Sequence, residues 1–227
     1  MRVMKAVTAV VAMAALSAAG TLATQDADRK VAGGGITVKG WKGMIDAGAA
    51  KKGATINDSK FMEMGGGFHL TIGPAATYWN PANTASGDYT VGATFAEGKS
   101  SANHPHSYGI FIGGSKLDTP EQSYVYCVAY GNGTFLVRGF TGDKVVDYAK
   151  RQPHDAVKKA GEDGRVTQEI AWTVKGNRAE CAINGAVVAG FDKSELVGPG
   201  KLESTDGIYG IRVSHNVDVM VTNFGKR

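Results

Sequence analysis

Apolar and polar positions alternate with a period of two along most of the chain, in short runs broken by glycine- and asparagine-containing turns. The first run spans residues 36–44. Residues 60–64 and 68–72 follow, separated by Gly65-Gly66-Gly67, which would supply a positive-φ turn between antiparallel strands. Further runs cover 88–95, 108–112, 124–130, 135–140 and a short 145–148. After these come 166–174, 178–183, 186–191, 207–213 and 217–224. Asn132-Gly133 and Asn184-Gly185 carry the hairpin signature, and Lys175-Gly176-Asn177 marks another turn. Residues 47–53 allow a single helical turn, residues 77–81 read as loop-like, and residues 151–165 read as an exposed loop.

About thirteen short strands with hardly a helix predict an all-β fold. Two packed antiparallel sheets suit the pattern, because a parallel sheet needs helical crossovers that are missing here. Composition sharpens the picture. With 32 glycines in 227 residues the chain disfavours helix interiors. The glycines follow no three-residue period and only 6 prolines accompany them, which excludes a collagen-like chain. No internal repeat or linker divides the sequence, so one domain is expected over residues 33–227.

Residues 1–23 read as a secretory signal. Arg2 and Lys5 precede the apolar run Ala6 to Leu16, and small residues lead to Ala23. That run is too short to span a bilayer comfortably, and no longer one follows, so the mature protein is expected not to be membrane-embedded. Residues 24–32 read as a flexible N-terminal tail, and the protein as exported, periplasmic or extracellular. Without Arg2 and Lys5, 23 basic residues face 21 acidic ones. They form no basic stripe, and nucleic acid is not an expected partner. Cys127 and Cys181 both fall on inward-looking strand faces. They could meet as a disulfide or remain two buried thiols.

Four stretches carry a family resemblance: Gly87-Asp88-Tyr89-Thr90-Val91; Tyr108-Gly109-Ile110-Phe111-Ile112-Gly113-Gly114-Ser115; residues 169–188 around Trp172 and Asn184-Gly185; and Asp206-Gly207-Ile208-Tyr209-Gly210-Ile211-Arg212-Val213 with Asn223-Phe224. Through them the chain resembles the concanavalin A-like jelly-roll superfamily of laminin-G-like and family 16-like glucanase domains. Among these it is similar to the bacterial exported DUF1080, or 3-keto-disaccharide hydrolase-like, domains. The resemblance implies a two-sheet antiparallel jelly-roll sandwich with a carbohydrate groove on its concave sheet. These motifs are turns and strand pairings, so they specify fold better than activity.

Retaining glucan hydrolysis needs two carboxylates about 5 Å apart. The Glu-x-Asp-x-Glu strand pattern of family 16 is missing, and the acidic clusters at Glu121, Glu162-Asp163 and Asp192/Glu195 look loop-like. Sugar binding asks only for an aromatic platform with a few fixed polar groups. Tyr124, Tyr126 and Tyr130 share the strand face opposite Cys127, with Arg138 on the next strand. Tyr78 and Trp79 in their loop-like segment, His104, His106 and Tyr108 complete the candidate ligand-binding set. Gln122, His69 and Arg212 could add polar contacts. His104 and His106 could bind a metal, but a third ligand is not evident and no metal is expected there. A structural calcium, common in such sandwiches, could draw on Asp88, Asp118 or Asp206. The leading expectation is an exported carbohydrate-binding protein that uses an aromatic-lined concave sheet. The alternatives are a glycoside or 3-keto-disaccharide hydrolase and a non-catalytic envelope or adhesion module.

Overall fold

The computed structural model describes residues 26–100 and 104–227. The signal expected at residues 1–23 lies outside the described residues. The chain begins with β1 (Gly35–Ile36), β2 (Lys42–Ile45), the single helical turn α1 (Ala47–Ala50), β3 (Lys60–Met64) and β4 (Gly67–Thr71). Next come β5 (Ala76–Ala85), β6 (Tyr89–Glu97), β7 (Ser107–Ser115), β8 (Ser123–Tyr130), β9 (Thr134–Thr141) and β10 (Lys144–Pro153). The last elements are β11 (Val166–Lys175), β12 (Arg178–Ile183), β13 (Ala186–Asp192), the short helix α2 (Lys193–Leu196), β14 (Gly207–Val213) and β15 (Asp218–Lys226). No helix among the described residues is long and apolar enough to cross a membrane.

The strands form two sheets packed as a jelly-roll sandwich. One has eight strands in the order β1-β3-β4-β15-β6-β11-β12-β13, and the other seven in the order β10-β9-β8-β7-β14-β5-β2. Every pairing is antiparallel except β1 with β3. The alternation of the sequence sets the faces. Val125, Cys127 and Ala129 of β8 point into the inter-sheet core with Phe61, Leu70, Ile110 and Trp172. Tyr124, Tyr126 and Val128 point the other way, into a second apolar cluster on the outer face of the seven-stranded sheet.

Three segments depart from the sequence reading. The short run at 145–148 is the ten-residue β10, which takes in residues 151–153 expected as loop, and Val157 of the expected exposed loop is buried. The run at residues 36–44 is two strands, because the chain turns after Ile36, with Gly40 at φ +79°, and crosses between sheets. Trp41 ends that crossing and packs against Phe61, Phe68 and Phe224. The loop-like stretch at residues 77–81 is part of β5. Pro81 disguises it, since proline donates no ladder hydrogen bond. The strand tolerates it in a bulge: Ile208 pairs with Thr84 and Gly210 with Trp79, leaving residues 80–83 outside the regular register. Asn80 accepts a hydrogen bond from the Ala82 backbone there.

Residues 26–32, expected as a flexible tail, are tied to the sandwich. The Arg29 guanidinium donates to the carbonyls of Ile72 and Val217 at 2.8 and 2.5 Å, and Val31 N–H donates to Asp58 O. Asn184 sits at φ +51° in its hairpin, and its side chain also binds Glu169 N, Ala156 O and Gln168 Oε1.

Cys127 and Cys181 are joined in a disulfide, which resolves the alternative in favour of the bond. It links β8 of one sheet to β12 of the other. Trp172 pairs with Cys181 across β11 and β12, and Ile110 pairs with Cys127 across β7 and β8. The Trp172 indole donates to the Ile110 carbonyl at 3.1 Å, a second bond between the sheets beside the first. Closing a loop with a sequence separation of 54 stabilises the fold by about 4 kcal/mol in the chain-entropy picture. The Cys127→Ala/Cys181→Ala double substitution is therefore expected to cost about 2–4 kcal/mol, measured by urea unfolding against the oxidised parent.

Candidate functional site

The outer face of the seven-stranded sheet is built by the second residue of each alternation. Trp79 and Thr77 come from β5, Phe111 from β7, Tyr124 and Tyr126 from β8, Arg138 and Phe140 from β9, and Arg212 from β14. Their rings form one continuous set. Tyr124 lies 5.1 Å from Phe111 and 5.4 Å from Phe140, and Tyr126 stacks on Phe140 at 6.1 Å between centroids. Gly210 of β14 makes room for it, because a Cβ there would fall 2.5 Å from the Phe111 ring.

A polar chain runs through this face. Arg212 grips Asp46 with two hydrogen bonds of 2.5 and 2.6 Å, contacts Thr77 Oγ1 at 3.3 Å, and lies over the Tyr126 and Phe140 rings. Thr77 Oγ1 in turn shares a hydrogen bond with the Tyr124 hydroxyl at 2.9 Å. Arg212 is 6% exposed, so its guanidinium depends on the Asp46 carboxylate for charge compensation. Burial pushes the Tyr124 and Tyr126 phenols up and keeps them neutral. Arg138 is engaged by Asp147 of β10 at 2.6 Å.

The sequence placed the tyrosine row on the correct face but expected it to be open. Tyr124 is 1% exposed, Tyr126 5% and Trp79 2%, because six aromatic rings and Leu117, Val128 and Leu136 pack together there. Tyr78 and Trp79 were expected in a loop, where a core would not explain both. As neighbours on a strand they point to opposite faces, Tyr78 into the inter-sheet core and Trp79 into the outer cluster. Tyr108 is fully buried in the inter-sheet core, stacked on Phe95 at 5.3 Å, and has no surface for a ligand.

A cavity of about 900 Å³ opens beside this face. Phe140, Arg138 and Gln122 border it from the sheet, Asp46 and Lys51 from α1 and its flanks, and His215 from the turn after β14. It brings one partly exposed ring together with cationic, anionic and amide groups. Gln122 and Arg212 were among the polar candidates of the sequence. His69 instead contacts Asp218 at 2.9 Å in the eight-stranded sheet.

His104 and His106 precede β7, next to Ser107, which pairs with Tyr130, and His215 joins them there. The ring centroids of His106 and His215 are 4.5 Å apart, and His104 lies 5.2 Å from His106. Sequence reading missed His215 because it gives strands without their partners. β14 pairs with β7 through Val213 and Tyr108; beyond them Ser214 N–H donates to Ser107 O at 2.8 Å and Ser107 N–H donates to the Ser214 hydroxyl at 2.7 Å. One more step of that register sets His215 beside His106. Burial, then the neighbouring His215 and His104, lowers the His106 pKa to about 4. The calcium candidates serve separate contacts: Asp88 accepts from Gly176 N, Asp206 from Gly87 N, and Asp118 from Lys42.

Glu97 is the carboxyl with a raised pKa among the described residues, at about 7. Burial is the main cause, opposed by the Ser100 and Tyr108 hydroxyls, although Glu97 Oε2 and both hydroxyls lack a hydrogen bond of regular geometry. Glu97 is 4% exposed and does not border the cavity.

No protein-family model matches the chain, and no curated protein matches it. Among solved structures it is similar to the carbohydrate-binding module CBM66 from Bacillus subtilis, with 9% identity and a TM-score of 0.57, over 86% of this chain and 99% of that one. It is also similar to a Bacillus subtilis protein of unknown function with a galectin-like fold, with 12% identity and a TM-score of 0.53, over 84% and 90% of the two chains. These likenesses establish the sandwich class. The narrower resemblance to DUF1080 domains rests on the sequence motifs.

Two outcomes follow from the buried charges. Asp46→Ala leaves the Arg212 guanidinium unpaired and is expected to cost about 3–5 kcal/mol in urea unfolding, with Arg212→Met costing less. For Glu97 the folded pKa lies above the unfolded value, so the native state keeps a proton that the unfolded chain releases. Stability then falls as pH rises from 4.5 through about 7. Glu97→Gln removes that loss, and its advantage over the parent is expected to grow by about 3 kcal/mol between pH 4 and pH 8.

Proposed function

We propose that this protein is exported and binds a saccharide in the cavity beside the outer face of the seven-stranded sheet. One observation carries the reading: the cavity joins the Phe140 ring to Gln122 and to the Arg138 and Asp46 side chains, which Asp147 and Arg212 hold in place. An apolar ring can cover the C–H face of a pyranose while convergent donors and acceptors take its hydroxyls. Phe140 is only partly buried, whereas Tyr124 and Tyr126 behind it are buried and serve as its support. Asp46 and Arg212 hold each other in fixed orientation, so the carboxylate presents a preset acceptor. The likeness in fold to a carbohydrate-binding module supports the assignment.

Export is supported by the N-terminal pattern and by the disulfide, which persists in oxidising compartments. Binding is favoured over hydrolysis by the carboxyls. Hydrolysis calls for an acid with a raised pKa facing the substrate, and Glu97, which has one, lies outside the cavity lining.

A glycan array probed with the purified protein is expected to show a restricted set of saccharides. Phe140→Ala and Arg138→Ala are each expected to weaken the best hit at least tenfold by calorimetry, with the fold retained by circular dichroism. Silence across the array would favour a structural role in the envelope or in adhesion. Turnover of a bound saccharide would establish the hydrolase.

A further inference from the structure

His104 and His106, just before β7, and His215, in the turn after β14, converge, and the nitrogens they offer lie within 4.8 Å of one another. In a tetrahedral zinc site, nitrogens 2.0–2.1 Å from the ion are about 3.4 Å apart. The three rings therefore need to close by at most about 1.4 Å. Side-chain rotation covers a distance of that size; His104 is exposed and His106 is 8% exposed.

The surroundings match those of a ligating imidazole set. Asp28 Oδ1 lies 3.0 Å from His215 Nδ1. A carboxylate on one ring nitrogen fixes the tautomer and leaves the lone pair on Nε2, the arrangement that orients metal-bound histidines. Asp26 Oδ2 is 4.0 Å from His106 Nε2 and is itself held by the Asn216 amide at 3.2 Å. Two carboxylates thus offset the charge an ion would bring. The nearby Arg29 cation is committed to two carbonyls and to Asp218. Three neutral imidazoles select a borderline transition metal such as zinc over calcium or magnesium, which prefer oxygen.

We propose that His104, His106 and His215 form a site for a divalent transition metal of the zinc type, with Asp28 positioning His215. The fourth position falls to water or to the Asp26 carboxylate. His215 also borders the large cavity, so a bound ion would sit at its rim. Asp26, Asp28 and His215 border the same cavity as Phe140, but metal uptake is read directly and does not depend on a saccharide being bound.

The test uses the purified protein carrying no polyhistidine tag. Calorimetry with Zn²⁺ and visible absorption with Co²⁺ are expected to show one saturable equivalent per chain, with cobalt bands of a low-coordinate nitrogen site. His215→Ala and His104→Ala are each expected to abolish the bands. His104 is exposed, so its variant keeps the fold, as circular dichroism would confirm. Asp28→Asn is expected to weaken affinity by about 10–100-fold. His69→Ala/His154→Ala, which removes the other two histidines, is expected to bind as the parent does. No saturable uptake at micromolar metal, or uptake that survives His104→Ala, would overturn the proposal.

Discussion

The sandwich depends on one cross-link between its sheets. The Cys127–Cys181 bond and the Trp172 indole hydrogen bond to Ile110 lie side by side, joining adjacent strand pairs in opposite sheets. Each suits its position. The indole N–H would be a buried orphan without the carbonyl, at a cost of about 1–3 kcal/mol. The disulfide constrains the unfolded chain, and hydrophobic burial adds to a core that already contains Phe95, Ile110 and Val174. With β7 and β8 held against β11 and β12, the inward face of the seven-stranded sheet is determined. Its alternate residues must then face outward.

That outward face is where the molecule differs from a simple two-layer sandwich. A strand with one face in the core normally shows water the other. Here both faces of β7, β8 and β5 carry apolar side chains, and the buried Arg212 crosses the outer one to pair with the partly exposed Asp46. A buried ion pair contributes little net stability, since desolvation offsets attraction. Its value lies in geometry: Arg212 is pinned over Tyr126 and Phe140, and Thr77 passes the constraint to Tyr124. Rigid polar groups next to rings suit the recognition of a ligand with both C–H faces and hydroxyls.

Much of this was legible in the sequence, and the limits have physical causes. Alternation and turn chemistry located most strands, because the side-chain period of a strand is local. The division of residues 36–44 between two sheets was hidden, since apolar Val38, two residues after Ile36, keeps the period going into the crossing. β5 was hidden by Pro81, whose bulge satisfies a rule that only the partner strand reveals. The face of Tyr124 and Tyr126 was legible, while their burial depended on Phe111, Trp79 and Phe140 from three other strands. Cysteine faces were legible, and their union required knowing which strands lie opposite each other.

The same distinction explains the histidines. His104-Pro-His106 is a visible motif that lacks a third ligand within its own segment. The missing residue lies more than a hundred positions downstream and arrives through register alone. β14 lies between β7 and β5, so it carries Arg212 onto the outer face and, three residues later, delivers His215 to the end of β7. One strand therefore serves the ring cluster and the histidine cluster, and the cavity bordered by His215 and Phe140 spans the distance between them. In a sandwich whose interior is closed by a disulfide and a tryptophan, polar chemistry is left to the outer face and the strand ends. β14 is the element that connects the two.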